Sequence, residues 1–394
     1  MAAPMARKPA SVERMERANS ASNDRSPACQ VVVIDATARH SAHDAATIYN
    51  VAERLAAVLR GEFAGAYNAA VDYHAPLYFV PAETLLQDEA ARYAIVSERQ
   101  LFGGIAPYPF VATKAITHAV PSASAAAPNG WSFALGAALE GQVLPGYTAF
   151  SREDALGAGT ELLARGAVRI KSTRGIGGSG QHLVHRPDEL AAILDDYDDA
   201  VLHETGVVIE QHLENVTTYS VGSVHVGDWR IAYCGRQRLT LDHDRRERYG
   251  GSDLTFFLGD MHELRDQWDP ADSNALRAIA QAIGYDAAIV AAYPALLASR
   301  RNYDIAQGHA ETGEFVSGVL EQSWRIGGAS PAELTALETF GTDERIRSLR
   351  ASTHEVYALI DPPANATLSY RGEDPHLGAL TKYSVIESHG YQTS

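Results

Sequence analysis

Four apolar β-branched residues in succession, Val31 to Ile34, mark a short strand buried on both faces. From Asp44 to Leu59 the period changes. Ile48, Val51, Leu55 and Val58 fall on one face of an amphipathic helix. PLYFVP (76–81) reads as another strand and TLLQDEAARYAI (84–95) as another helix, so residues 29–110 are expected to form an open α/β unit. LFGGIAPYPF (101–110) is rich in turn residues and reads as a boundary. SREDALGAGTELLARG (151–166) predicts a helix capped by Ser151, with Asp154 reaching back and Gly166 ending it. VRIKSTRGIGGSGQHLV (168–184) reads as strand, glycine loop, strand, and a short helix opens at Pro187. Antiparallel strands are expected over 207–226 and 229–241, a helix from Ser273 to Ile283, and two strands in NYDIAQG (302–308) and FVSGVLEQSWRIGGAS (315–330). The segment from Pro331 is read as helical to about Ser352. LTKYSVIE (380–387) reads as an edge strand able to pair with a second subunit in a homodimer.

Composition narrows the class. The chain has 394 residues and 46 % hydrophobic content, enough for two or three structural units with buried cores. A net charge of −16 argues against nucleic acid as a partner, yet a local cationic cleft for a nucleotide is compatible with it. Cys29 and Cys234 form neither a CxxC pair nor a disulfide framework, which fits a reducing cytoplasm. No apolar run is long enough to predict a membrane span. Residues 1–28 read as a disordered tail.

Two features carry chemistry. Gly175, Gly177 and Gly180 fit GxGxxG, but a second strand follows rather than the helix a dinucleotide fold requires, and no Walker loop is present. A hairpin loop closing over phosphates is the functional reading. Gly175, Gly177, Gly178, Ser179 and Gly180 would offer backbone N–H groups, and Lys171 a point charge. The competing reading is a plain glycine-rich turn. The second feature is a carboxylate pair. If the strands carrying Asp304 and Glu321 are antiparallel neighbours, both carboxylates converge, with Ser323 and Arg325 on the Glu321 face. Two carboxylates plus phosphate oxygens suit Mg²⁺, and Arg325 suits charge on a transferred phosphoryl group. A surface Glu–Arg pair is the alternative.

In this order the pieces resemble the ATP-grasp superfamily, and the whole chain resembles an uncharacterised proteobacterial ATP-grasp-like family. The resemblance implies an α/β (α+β grasp) class: an N-terminal open α/β domain followed by a two-part ATP-grasp fold. Its expected parts are a tail (1–28), a pre-grasp domain (29–110), a lid (111–208), a C-terminal metal-binding part (209–330), and a helix and tail (331–394). It implies ATP and Mg²⁺ as cofactors. Asp304 and Glu321 become metal ligands, and Ser323 stands where an asparagine is usual. Arg325 and Lys171 become catalytic cations, with Lys171 contacting phosphate or the adenine N7 region, and Lys114 an earlier ATP lysine. Glu210, Gln211, His212 and Leu213 would meet the adenine edge. Thr217 occupies the place of an acidic ribose ligand, a contact that can shift to Glu214.

Arg245, Arg246 and Arg248, beside Gly250 and Gly251, and then Arg300 and Asn302 are candidates for reading a small-molecule or peptide carboxylate substrate. The expected activity is an ATP-dependent carboxylate–amine ligase. A nucleotide-binding regulatory protein and a small-molecule kinase are the alternatives.

Overall fold

The structure, a computed structural model, describes residues 27–34, 41–173 and 180–391. The valine run is strand β1 (Gln30–Ile34), parallel to both β2 (Glu62–Ala66) and β3 (Leu77–Pro81), with helix α1 (Ala42–Val58) between β1 and β2. Short elements β4 (Leu85–Leu86), α2 (Gln87–Arg92), β5 (Gly104–Ala106) and α3 (Leu135–Ala138) lead out of this unit.

A second unit follows: β6 (Gly146–Ala149), α4 (Arg152–Leu163), β7 (Val168–Ser172), β8 (Gln181–Val184), α5 (Pro187–Asp195), α6 (Asp199–Thr205) and β9 (Val207–Gln211). Its sheet is antiparallel in the order β6-β9-β7-β8. Ile170 and Ile209 pack against Leu162 of α4 and Leu190 of α5. Ser151 caps α4 as expected, accepting from the Asp154 N–H at 3.1 Å. The Asp154 carboxylate does not reach back to the Ser151 N–H; it takes the Ser151 hydroxyl and the Ala126 N–H instead. Of the glycine loop, Gly175, Gly177, Gly178 and Ser179 lie outside the described residues, while Gly180 adopts φ +67° as it enters β8.

The largest unit is an eight-stranded antiparallel sheet. In chain order it comprises β10 (Glu214–Val226), β11 (Trp229–Leu241), β12 (Glu247–Leu258), then helices α7 (Met261–Gln267) and α8 (Ser273–Ala292). β13 (Leu297–Ala298), which pairs with β5, precedes β14 (Arg300–His309), β15 (Phe315–Ser323), α9 (Ser330–Thr342), β16 (Ile346–Val356), β17 (Ala366–Asp374) and β18 (Gly378–Tyr391). The strand order is β15-β14-β10-β11-β12-β16-β18-β17. Ile279, Tyr285 and Ile289 of α8 bury against Val221, Tyr303 and Ile305 on one face. Helices α1 and α9 cover the other with Leu55, Leu334 and Phe340, against Val224, Leu254 and Phe256. Helix α8 is long and apolar enough to cross a membrane by length and composition; here its apolar stripe faces the sheet.

Two expectations for the C-terminus are corrected. The helix after Ser330 ends at Thr342, and residues up to Ser352 belong to strand β16, so 331–394 is a helix plus three strands rather than a helix and tail. LTKYSVIE lies in β18, paired on both sides within the chain, so its hydrogen-bonding edges are not open to a second subunit. Helical periodicity failed here because Leu349, Ala351 and Thr353 fill the core with the two-residue period of a strand.

Buried Arg54 ties α1 to α9. It donates to both Glu338 oxygens (2.8 and 2.7 Å), Thr335 Oγ1 (2.9 Å) and the Pro331 carbonyl (3.1 Å). Arg54→Met leaves these acceptors without their donor and is expected to destabilise the protein by roughly 2 kcal/mol, after discounting for the partial exposure of Glu338. Denaturant unfolding checks this, and an unchanged midpoint contradicts it.

Candidate nucleotide and metal site

Asp304 and Glu321 are direct cross-strand partners in β14 and β15. Direct partners share a face, with Cβ atoms about 5 Å apart, so the two carboxylates stand side by side. The register slips between Asp304 and Ile305, and this bulge sits beside the pair. Asp304 is held from its own side. Its Oδ1 accepts from Asn302 Nδ2 (2.9 Å) and Ser220 Oγ (3.0 Å), and Ser220 accepts from Gln237 Nε2 (2.9 Å). Glu321 is held from the other side by Lys114 Nζ at 2.6 Å, and the Lys114 side chain is 6 % exposed. Burial, and then the charge of Glu321, raise the Asp304 pKa; the bonds from Gln237, Asn302 and Ser220 oppose that rise.

A second cluster lies on the β6-β9-β7-β8 sheet. Lys171 and Glu210 sit diagonally on paired strands β7 and β9 and form a buried ion pair. His118 Nε2 approaches the other Glu210 oxygen at 3.3 Å, while His118 Nδ1 is buried without a partner. Burial works against the Glu210 charge, but Lys171 and the bond from His118 outweigh it and hold its pKa at about 2. The short turn Lys114–Thr117 joins the two clusters. It sends Lys114 to Glu321 and the Thr117 hydroxyl to the Leu320 carbonyl (3.4 Å), while its Ala115 carbonyl accepts from Thr148 of β6 (2.7 Å).

The other expected residues are placed as follows. Arg325 lies just past β15, bonded to Glu83 (3.2 Å) and the Ile326 carbonyl. Ser323 directs its hydroxyl toward the Arg325 carbonyl rather than toward a carboxylate. The Gln211 and His212 N–H groups are engaged by the carbonyls of Pro145 and Ala167, so neither is available to a base edge. Thr217 of β10 pairs with Gln307 of β14, and Leu213 is buried.

The expected substrate residues separate from the carboxylate pair. Arg245 and Arg246 form a hairpin tip, and Arg248 is bonded to Asp242 at 2.9 Å. Gly250 and Gly251 lie inside β12, where the register with β11 slips between Arg238 and Leu239 and Gly251 adopts φ +126°. Arg248 faces Thr240, five positions (240 − 235) beyond Gly235, which pairs with Ser220 opposite Asp304. That is about 17 Å along the strand, so the arginines do not gather at the carboxylates. Arg300 is 1 % exposed and locked to Glu333, so it is withdrawn from any substrate. Asn302 is likewise buried, and it serves Asp304.

Among the described residues, no cluster of three or more His, Cys, Asp or Glu side chains is arranged to hold a metal ion. Two adjacent carboxylates still fit Mg²⁺, which takes its remaining ligands from phosphate and water.

The family model for "Protein of unknown function (DUF3182)" matches residues 31–384. The chain belongs to this DUF3182 family. No protein of curated function matches it in sequence. Among solved structures it is similar to a biotin carboxylase from Campylobacter jejuni, in a beta-gamma-ATP complex. That pair shares 12 % identity over 90 % of this chain and 87 % of that one, with a TM-score of 0.51. It is also similar to the biotin carboxylase domain dimer of 2-oxoglutarate carboxylase from Hydrogenobacter thermophilus, described in complex with MgADP, ADP and bicarbonate. There the identity is 11 % over 92 % and 90 % of the chains, with a TM-score of 0.51. D-alanyl-alanine synthetase A from Vibrio cholerae shares 10 % identity over 78 % and 91 %, with a TM-score of 0.49. The DUF3182 chain has the fold of the two biotin carboxylases, an ATP-grasp fold.

Glu210 supplies a pH test. Its carboxyl sits at about 2 in the folded protein against an ordinary 4.5, so its ionised form stabilises the fold at neutral pH. Because the folded pKa is the lower one, this stabilisation is present above about pH 4.5 and is lost as pH falls through 2. Unfolding free energies measured from pH 7 to pH 3 are expected to fall less steeply for Glu210→Gln than for wild type; parallel curves contradict the assignment.

Proposed function

We propose that this protein uses ATP and Mg²⁺ to activate a substrate carboxylate as an acylphosphate, which then condenses with an amine or similar nucleophile. The direct pairing of Asp304 with Glu321, within an ATP-grasp fold, is the observation that supports this best. Bound Mg²⁺ would supply charge neutralisation of the phosphates, with Asp304 and Glu321 holding it. Lys171 and Lys114 would meet phosphate oxygens, and Arg325 the transferred phosphoryl group. A carboxylate oxygen of the substrate attacks the γ-phosphorus and ADP departs. The amine nitrogen then attacks the acyl carbon, phosphate departs, and the nitrogen loses its proton to water. No side-chain nucleophile is required, because positioning and electrostatics provide most of the rate. The acceptor would be a small-molecule or peptide carboxylate, in the cytoplasm.

A second reading, a nucleotide-binding protein without turnover, is favoured by Ser323, whose hydroxyl turns to the Arg325 carbonyl instead of completing a metal site. Analogue binding with no ADP release from any carboxylate–amine pair would select it.

The Lys114–Glu321 ion pair must open for Glu321 to ligate a metal and for Lys114 to bind phosphate, so each ligand frees the group the other needs. Lys114→Met is therefore expected to tighten Mn²⁺ binding without nucleotide by roughly tenfold while weakening binding of a non-hydrolysable ATP analogue. Weaker metal binding in this variant contradicts the exchange. Glu321→Ala is expected to abolish ADP release while keeping the wild-type circular dichroism spectrum; wild-type turnover would remove Glu321 from the site.

A further inference from the structure

Behind Asp304 runs a buried polar relay that the proposed chemistry does not itself require. Arg300 Nε donates to both Glu333 oxygens, at 3.1 and 2.8 Å, and the two side chains are 1 % and 0 % exposed. Tyr233 Oη lies 2.6 Å from Glu333 Oε1 and 2.8 Å from Asn302 Oδ1, so its single proton is shared between these two acceptors, and Asn302 Nδ2 donates to Asp304 at 2.9 Å. The relay thus runs from helix α9 through β11 to the carboxylate on β14. The same Arg300 donates through Nη1 to the carbonyls of Ser323 (3.4 Å) and Arg325. One buried ion pair therefore holds the Asp304 carboxylate through two intermediaries and the backbone before and at Arg325 directly.

The sequence reserves space for this arrangement. Gly222 pairs with Tyr233 across β10 and β11, and a Cβ at Gly222 would lie 2.4 Å from Tyr233 Oη. A glycine is needed where the tyrosine hydroxyl crosses the neighbouring strand. A buried ion pair costs desolvation that apolar residues of similar volume would avoid. Here both ends lead to the candidate site, which gives the cost a use.

We propose that Tyr233 and Asn302, anchored by Arg300 and Glu333, are positioning residues that orient Asp304 for the metal while Arg300 fixes the backbone carrying Ser323 and Arg325. This rests on the nucleotide and metal reading of the site. Neither Tyr233 nor Glu333 touches the reacting atoms; each acts through another group. Orienting partners behind metal ligands govern affinity because a ligand free to rotate loses entropy on binding.

The test measures Mn²⁺ binding by electron paramagnetic resonance in the presence of a non-hydrolysable ATP analogue, for wild type, Tyr233→Phe and Asn302→Ala. Thermal unfolding and metal-free analogue binding are measured beside it. Tyr233→Phe removes one oxygen and is expected to weaken Mn²⁺ binding about tenfold while metal-free analogue affinity stays at the wild-type value. Asn302→Ala is expected to weaken it similarly. Wild-type Mn²⁺ affinity in both variants would overturn the proposal. So would a parallel loss of metal-free analogue binding, which marks general disruption. A wild-type protein that binds neither Mn²⁺ nor analogue would overturn the underlying reading of the site, an outcome distinct from the other two.

Discussion

Two carboxylates stand on directly paired positions of neighbouring strands, Asp304 opposite Glu321, on a partly buried face. Side by side in a poorly solvated setting they repel, and the fold must offset that repulsion without a bound cation. It does so with Lys114 on Glu321 and with hydrogen-bond donors on Asp304. The turn that carries Lys114, the polar strip across β10 and β11, and the Arg300–Glu333 pair all take their places around this juxtaposition. An apolar pair would have been simpler to bury, and under the proposed function a bound cation gives the carboxylate pair its use.

The second cluster follows the same logic on the other sheet. Lys171 is buried against Glu210, and His118 supports the far oxygen. Lys171, like Lys114, is paired with a carboxylate rather than left exposed. Under the proposed function, a phosphate arriving at either lysine would replace a partner instead of neutralising a bare charge, which would couple binding at the two clusters to rearrangement of existing pairs.

Much of this was legible in the sequence because the decisive features are local. The valine run, the Ser151 cap, the strand–loop–strand around Lys171 and the two strands bearing Asp304 and Glu321 each carry their own periodicity or capping chemistry. What escaped depends on contacts between distant segments. His118 meets Glu210 across 92 positions and Tyr233 meets Glu333 across 100, and no spacing rule links such residues. Arg300 looked like a substrate residue because an arginine beside a metal strand has the right chemistry; only Glu333, on a later helix, reveals its burial. Residues up to Ser352 were misread as helix because Ile346, Leu349 and Ala351 alone mark the inward face of β16 with apolar side chains, and the buried Ser352 and Thr353 beside them give little hydrophobic contrast.

The most direct test is calorimetric titration of the purified protein with a non-hydrolysable ATP analogue, with and without Mg²⁺. The account predicts binding that is strengthened by Mg²⁺ and lost in Lys171→Ala. No binding at millimolar analogue would contradict it, and would leave the Asp304–Glu321 pair and the Lys171 strand as structural features of an ATP-grasp fold that holds no nucleotide.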